Sequence, residues 1–248
     1  MNSKLATATN LYMEGIRDGN AKEAITKYTG RRYTQHSTGV RNGVEGFIEF
    51  FEPFLVRCPI RDIRVIRSIV DGQYVFLQVF QDINNGDAKW VTTDLFDTDS
   101  NDKIIEHWDV ISAYQDVNDS SSDQISGETE ITDLEATEDN KERVREFLCD
   151  VMVLGQHEKR DTFVDATQLV THAAPDVGSL DSYIGSYDQV FKIIGQGNFV
   201  VAYSRVCKDN QELARFDIFR LKDGMIEELW INQEPVLPKH EWVNGGKF

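Results

Sequence analysis

Two stretches, WVTTDLFDTDSNDKIIEHWDV (Trp90 to Val110) and ARFDIFRLKDGMIEELWIN (Ala214 to Asn232), read as one hairpin written twice. They superpose Asp94 on Asp217, Phe96 on Phe219 and Trp108 on Trp230, with one extra residue in the first turn. Similarity of that length in the two halves of a 248-residue chain marks a duplication.

Working outward, both halves follow the same order. Leu5, Ala8, Tyr12 and Ile16 recur at helical spacing, as do Val144, Phe147, Leu148, Val151 and Leu154. Each opening helix leads to a strand that ends in histidine, YTQH at His36 and LVTH at His172. Then come IRVIRSIV and QYVFLQVF, joined by Asp71-Gly72, and in the second half FKIIG and NFVVAYSRV. Each unit is expected to be helix, helix, short strand, helix and a meander of long strands. That is an α+β arrangement in which a curved antiparallel sheet wraps helices and leaves a cavity at its open end.

With 40% hydrophobic residues the chain can bury a real core. No window has the apolar length of a membrane span, and the start lacks a basic end followed by an apolar run, so a soluble, cytoplasmic protein is expected. The formal charge of −16 disfavours nucleic acid. Ten acids and one base lie between Asp116 and Glu142, around DSSSDQISGETE, which reads as a solvated linker. The expected division is therefore a domain at 1–115, a flexible acidic linker at 116–139 and a second domain at 140–248. Cys58, Cys149 and Cys207 are scattered and form no CxxC pair, so they read as buried small hydrophobes in a reduced compartment.

YTQH, then Gly43 to Phe47 as GVEGF, then DLF and the EHWDV ending resemble the SnoaL-like polyketide cyclases of the nuclear-transport-factor-2-like superfamily, here in tandem. The resemblance implies two cone-shaped α+β barrels with internal pockets, the second degenerate. It also implies that the Asp of HWD, Asp109, acts as acid/base beside His36, with Asp94 and His107 as further polar groups of the pocket. Where the family often shows YxQHNP, this chain has Ser37 and Thr38 after His36, so the turn there is less constrained.

Strand alternation supplies an independent argument. His107 and Asp109 point to one face and Trp108 and Val110 to the other, so the first pair can share a proton. Burial raises a carboxyl pKa and a nearby imidazolium lowers it, which can tune it toward proton transfer. If Trp108 and Val110 face inward instead, His107 and Asp109 form a solvated outer pair. Leu229 and Ile231 stand at the matching positions of the second half, so that face tolerates burial.

His36, His107 and a carboxylate lack tight ligand spacing, and no metal or cofactor is expected. GQGN and GVRNG read as turns, FIEFFEPF as core and pocket wall, and His157 and His240 as solvent-facing. Two function classes follow. One is a cofactor-independent cyclase or isomerase acting on a small apolar or carbonyl compound, with Asp109 as base and His36 and His107 at the enolate oxygen, His172 being a remnant. The other is a non-catalytic cone that binds an apolar ligand or a protein. The two cones could pair sheet to sheet as a built-in pseudo-dimer, and higher oligomers are also open.

Overall fold

The structure is a computed structural model that describes residues 2–115, 123–165 and 167–248. It divides into two units, one formed by residues 1–113 with 237–248 and the other by residues 114–236.

In the first unit, α1 (Ser3–Asn10) continues as a π-helical stretch, Leu11–Arg17, followed by α2 (Ala21–Tyr28), β1 (Thr29–Gln35) and α3 (Gly43–Arg57). The strands β2 (Arg61–Asp71), β3 (Tyr74–Ile83), β4 (Ala88–Thr98) and β5 (Ile104–Ala113) form the meander. The sheet order is β1-β5-β4-β3-β2, with β1 parallel to β5 and the other pairs antiparallel. Gly72 takes φ +58° in the β2–β3 turn, the conformation expected of Asp71-Gly72. Ala8, Leu11, Tyr12 and Ile16 bury one helical stripe against Val75, Leu77 and Val79 of the sheet.

The second unit repeats the plan with α4 (Thr137–Phe147), a π-helical stretch Leu148–Val153, and β6 (Val170–His172), β7 (Tyr187–Gln196), β8 (Phe199–Lys208), β9 (Gln211–Lys222) and β10 (Met225–Pro235). Its order, β6-β10-β9-β8-β7, is that of the first sheet. The hairpin registers confirm the duplication. Phe96 pairs with His107 and Asp94 with Asp109 in one, and Phe219 pairs with Leu229 and Asp217 with Ile231 in the other. The α+β class and the tandem of cones expected from the sequence are both present.

Four details differ from expectation. The second and third helices of the second unit are short 3-10 turns, His157–Thr162 and Leu180–Tyr183; for the third, AAPDVG with Pro175 and Gly178 offers no apolar helical run like FIEFFEPF. Residues 116–122 of the expected linker lie outside the described residues, but 123–139 are folded into the second unit. There Asp123 Oδ1 accepts from the Ile125 and Ser126 amides, and the Thr132 amide donates to Asn198 Oδ1 at 2.9 Å. The second unit also ends before the expected residue 248, since Leu237–Phe248 packs in the first unit. Finally, Cys149 and Cys207 are exposed and Cys58 is half-buried, all three as free thiols. Cys149 sits between the buried Leu148 and Val151 on the outward side of its helix, and Cys207 follows the buried Val206 on β8.

Candidate functional site

The first cone encloses a cavity of about 370 Å³, within the range of small-molecule pockets. Phe47, Phe50, Phe51 and Phe54 of α3, with Trp90, Phe96 and Ile111 of the sheet, supply its apolar wall. FIEFFEPF is thus core and pocket wall, as its spacing indicated.

Polar groups gather at the strands. β1 and β5 present Tyr33, Gln35, His107 and Asp109 to the cavity, and β4 adds Thr92 and Asp94. Each set follows the two-residue period of a strand. His107 Nε2 and Asp94 Oδ1 are 2.8 Å apart, and the Phe96 ring stacks on the imidazole at 4.5 Å. His107 Nδ1 faces the Tyr33 hydroxyl at 3.4 Å, and that hydroxyl accepts from Gln35 Nε2 at 3.2 Å. Burial, with the charges of Asp109 and Asp94, pushes the Tyr33 phenol far above its ordinary pKa, so it remains a neutral O–H.

Asp109 is paired from an unforeseen direction. Lys247 Nζ donates to Asp109 Oδ1 at 2.8 Å and to its backbone carbonyl at 2.9 Å. Burial alone would raise the Asp109 pKa, but the Lys247 ammonium, the largest opposing influence, holds the carboxyl below its ordinary value of 3.8. This corrects the reading of Asp109 as an acid/base group tuned toward neutral pH. Asp94, His107 and Asp109 offer ligand atoms within 4.8 Å of one another, but the positive charge at Asp109 is already the Lys247 ammonium, so we assign the cluster no metal.

His36 is not in this cavity. Tyr33, Gln35 and Ser37 line it, and His36, of opposite parity, turns to the other face of the strand. There its ring stacks on Trp108 at 4.8 Å, Nε2 meets Glu106 Oε1 at 2.9 Å and Nδ1 meets the Gly246 carbonyl at 2.8 Å. The expectation that His36 and Asp109 share a pocket is therefore wrong, and the alternative of an inward Trp108 is wrong as well.

His172 is no relic of a lost site, because it makes the same clasp. It stacks on Trp230 at 4.8 Å, Nε2 meets Glu228 Oε1 at 3.1 Å and Nδ1 meets the Asp123 carbonyl at 3.1 Å. Gly127, at φ +87°, crosses this face so closely that a Cβ would lie 2.8 Å from both His172 and Trp230. Both histidines hold a neighbouring chain segment against a sheet.

The positions that carry His107 and Asp109 in the first cone are apolar in the second. Leu229 and Ile231 join a core with Phe147, Phe163 and Phe219. A fully buried Arg215 pairs with Asp217 at 2.8 Å and lies over the Tyr183 ring, while the Tyr187 hydroxyl donates to Asp217 Oδ2 at 2.7 Å.

No protein-family model matches the chain, and no curated protein does. Solved structures do resemble it. One is assigned as a polyketide cyclase from Bacillus cereus ATCC 10987, at 18% identity over 44% of this chain and 74% of that one, TM-score 0.40. Another, assigned as a polyketide cyclase from Acidithiobacillus ferrooxidans, shows 18% identity over 45% and 89%, TM-score 0.40. A third, assigned as a SnoaL-like polyketide cyclase from Shewanella putrefaciens CN-32, shows 20% identity over 45% and 80%, TM-score 0.38. At these identities the similarity concerns the fold. No helix among the described residues is long and apolar enough to cross a membrane.

Proposed function

We propose that the first cone transfers a proton next to the carbonyl of a small apolar molecule, without a cofactor, in a reaction of the cyclase, aldol or isomerase type. The observation that carries this reading is the 2.8 Å His107–Asp94 pair beside an aromatic-walled cavity. Asp94 accepts from Nε2–H and leaves the Nδ1 lone pair of a neutral His107 as the base.

His107 Nδ1 takes the proton from the carbon, the C–H electron pair moves onto the carbonyl oxygen, and the Tyr33 O–H donates to that enolate oxygen. Asp94 stabilises the imidazolium that forms. In a conjugated substrate the enolate regains the proton from His107 at another carbon, giving an isomer; alternatively its carbon attacks a second carbonyl of the same molecule, closing a ring, and the alkoxide so formed takes the proton from His107. Asp109 is thereby moved from base to neighbouring charge, and His36 leaves the mechanism.

The test is deuterium uptake. A panel of cyclic and aromatic ketones incubated with the protein in deuterium oxide should include members that exchange the hydrogen next to the carbonyl faster than in buffer. Ketones that bind the cavity but never exchange would instead favour a cone that binds apolar ligands without chemistry.

A further inference from the structure

Residues 237–248 follow the last strand of the second unit yet pack within the first. They are anchored there by several bonds. The Val243 amide donates to the Thr38 carbonyl at 3.0 Å, and Asn244 Nδ2 donates to the Ser37 and Val40 carbonyls at 2.6 and 2.9 Å. His36 Nδ1 meets the Gly246 carbonyl, so the histidine clasp holds the residue just before Lys247.

Strand geometry explains why Lys247 finds a partner at Asp109. The His107 carbonyl accepts from the His36 amide. Two residues on, the Asp109 carbonyl points the same way, but β1 has ended at Gln35. Lys247 Nζ fills that gap and also reaches the carboxylate, and only 3% of the residue is exposed.

Two carboxylates then flank one imidazole in a buried cluster. Without a cation, such a cluster binds an extra proton, on His107 or on a carboxyl group. We propose that Lys247 is a positioning residue of this site, whose ammonium holds Asp109 as a carboxylate and balances the second negative charge beside His107, leaving the imidazole neutral. The inference rests on the reading of His107 as the base. The groups facing His107 are Asp94 of β4, Asp109 of its own strand, Tyr33 of β1, Tyr12 beside Asp94, and Lys247 acting through Asp109.

The test needs no substrate, so its failure is separable from failure of the carbonyl chemistry. The imidazole signals of the full chain are titrated by NMR in wild type, Lys247→Met, Lys247→Arg and Asp109→Asn, with His107→Gln identifying the His107 signal. In Lys247→Met the His107 midpoint should rise by about one to three pH units. Lys247→Arg should return it close to wild type. Asp109→Asn, which leaves the ammonium unopposed, should lower it, and this arm decides the matter if Lys247→Met does not fold. A midpoint unmoved in Lys247→Met or in Asp109→Asn overturns the proposal.

Discussion

His36 stacks on Trp108 with ring centroids 4.8 Å apart and an interplanar angle of 11°, on the face of the sheet opposite the cavity. His172 repeats the contact on Trp230 at 4.8 Å and 7°. A stacked ring with two polar contacts, one to a carboxylate, is a stabilising device. His36→Ala and His172→Ala should each lower the free energy of unfolding by about 1–3 kcal/mol, measured by urea denaturation. A negligible loss for either would show that its clasp is incidental.

The Glu228 carboxylate gives this device a pH dependence. Burial raises its pKa, but hydrogen bonds from His172 and Arg220 outweigh that and lower it from 4.5 to about 2. A depressed folded-state pKa contributes stability that is fully present above 4.5 and is lost as the pH falls toward 2. The stability advantage of wild type over Glu228→Gln should therefore shrink between those two values. A constant difference across acid unfolding curves would contradict it.

Arg215 and Asp217 are both fully buried, so loss of one partner strands the other charge. Arg215→Met or Asp217→Asn should cost about 3–5 kcal/mol, and the double variant Arg215→Met/Asp217→Leu should recover most of it. Additive losses in chemical denaturation would mean the pair is not coupled.

The duplicated cone was legible because its repeating units are local. A hairpin with Asp94, Phe96 and Trp108 at fixed offsets is recognisable in its copy with Asp217, Phe219 and Trp230. Strand alternation placed His107 and Asp109 together on one face of β5 but left open which face turns inward, which the cavity lining decides. YTQH also contained the side of His36, since Tyr33 and Gln35 have the parity of the cavity and His36 does not. The exposure of Cys149 and Cys207 is not carried by residue type, since it depends on the helical or strand position of each. Lys247 left no trace, as a contact across 138 residues has no periodicity to betray it. The buried Arg215 lay within reach, since Arg215 and Asp217 of ARFD share one face of their strand.

The central claim is that His107, oriented by Asp94, is the base of an open cavity in the first cone. The most direct measurement is the rate of deuterium exchange next to the carbonyl of a responsive ketone, compared among wild type, His107→Gln and His172→Gln. We predict that His107→Gln slows the exchange about a hundredfold or more, the scale expected for losing an acid/base group, while His172→Gln stays within about twofold of wild type. Exchange at the wild-type rate in His107→Gln would contradict the account.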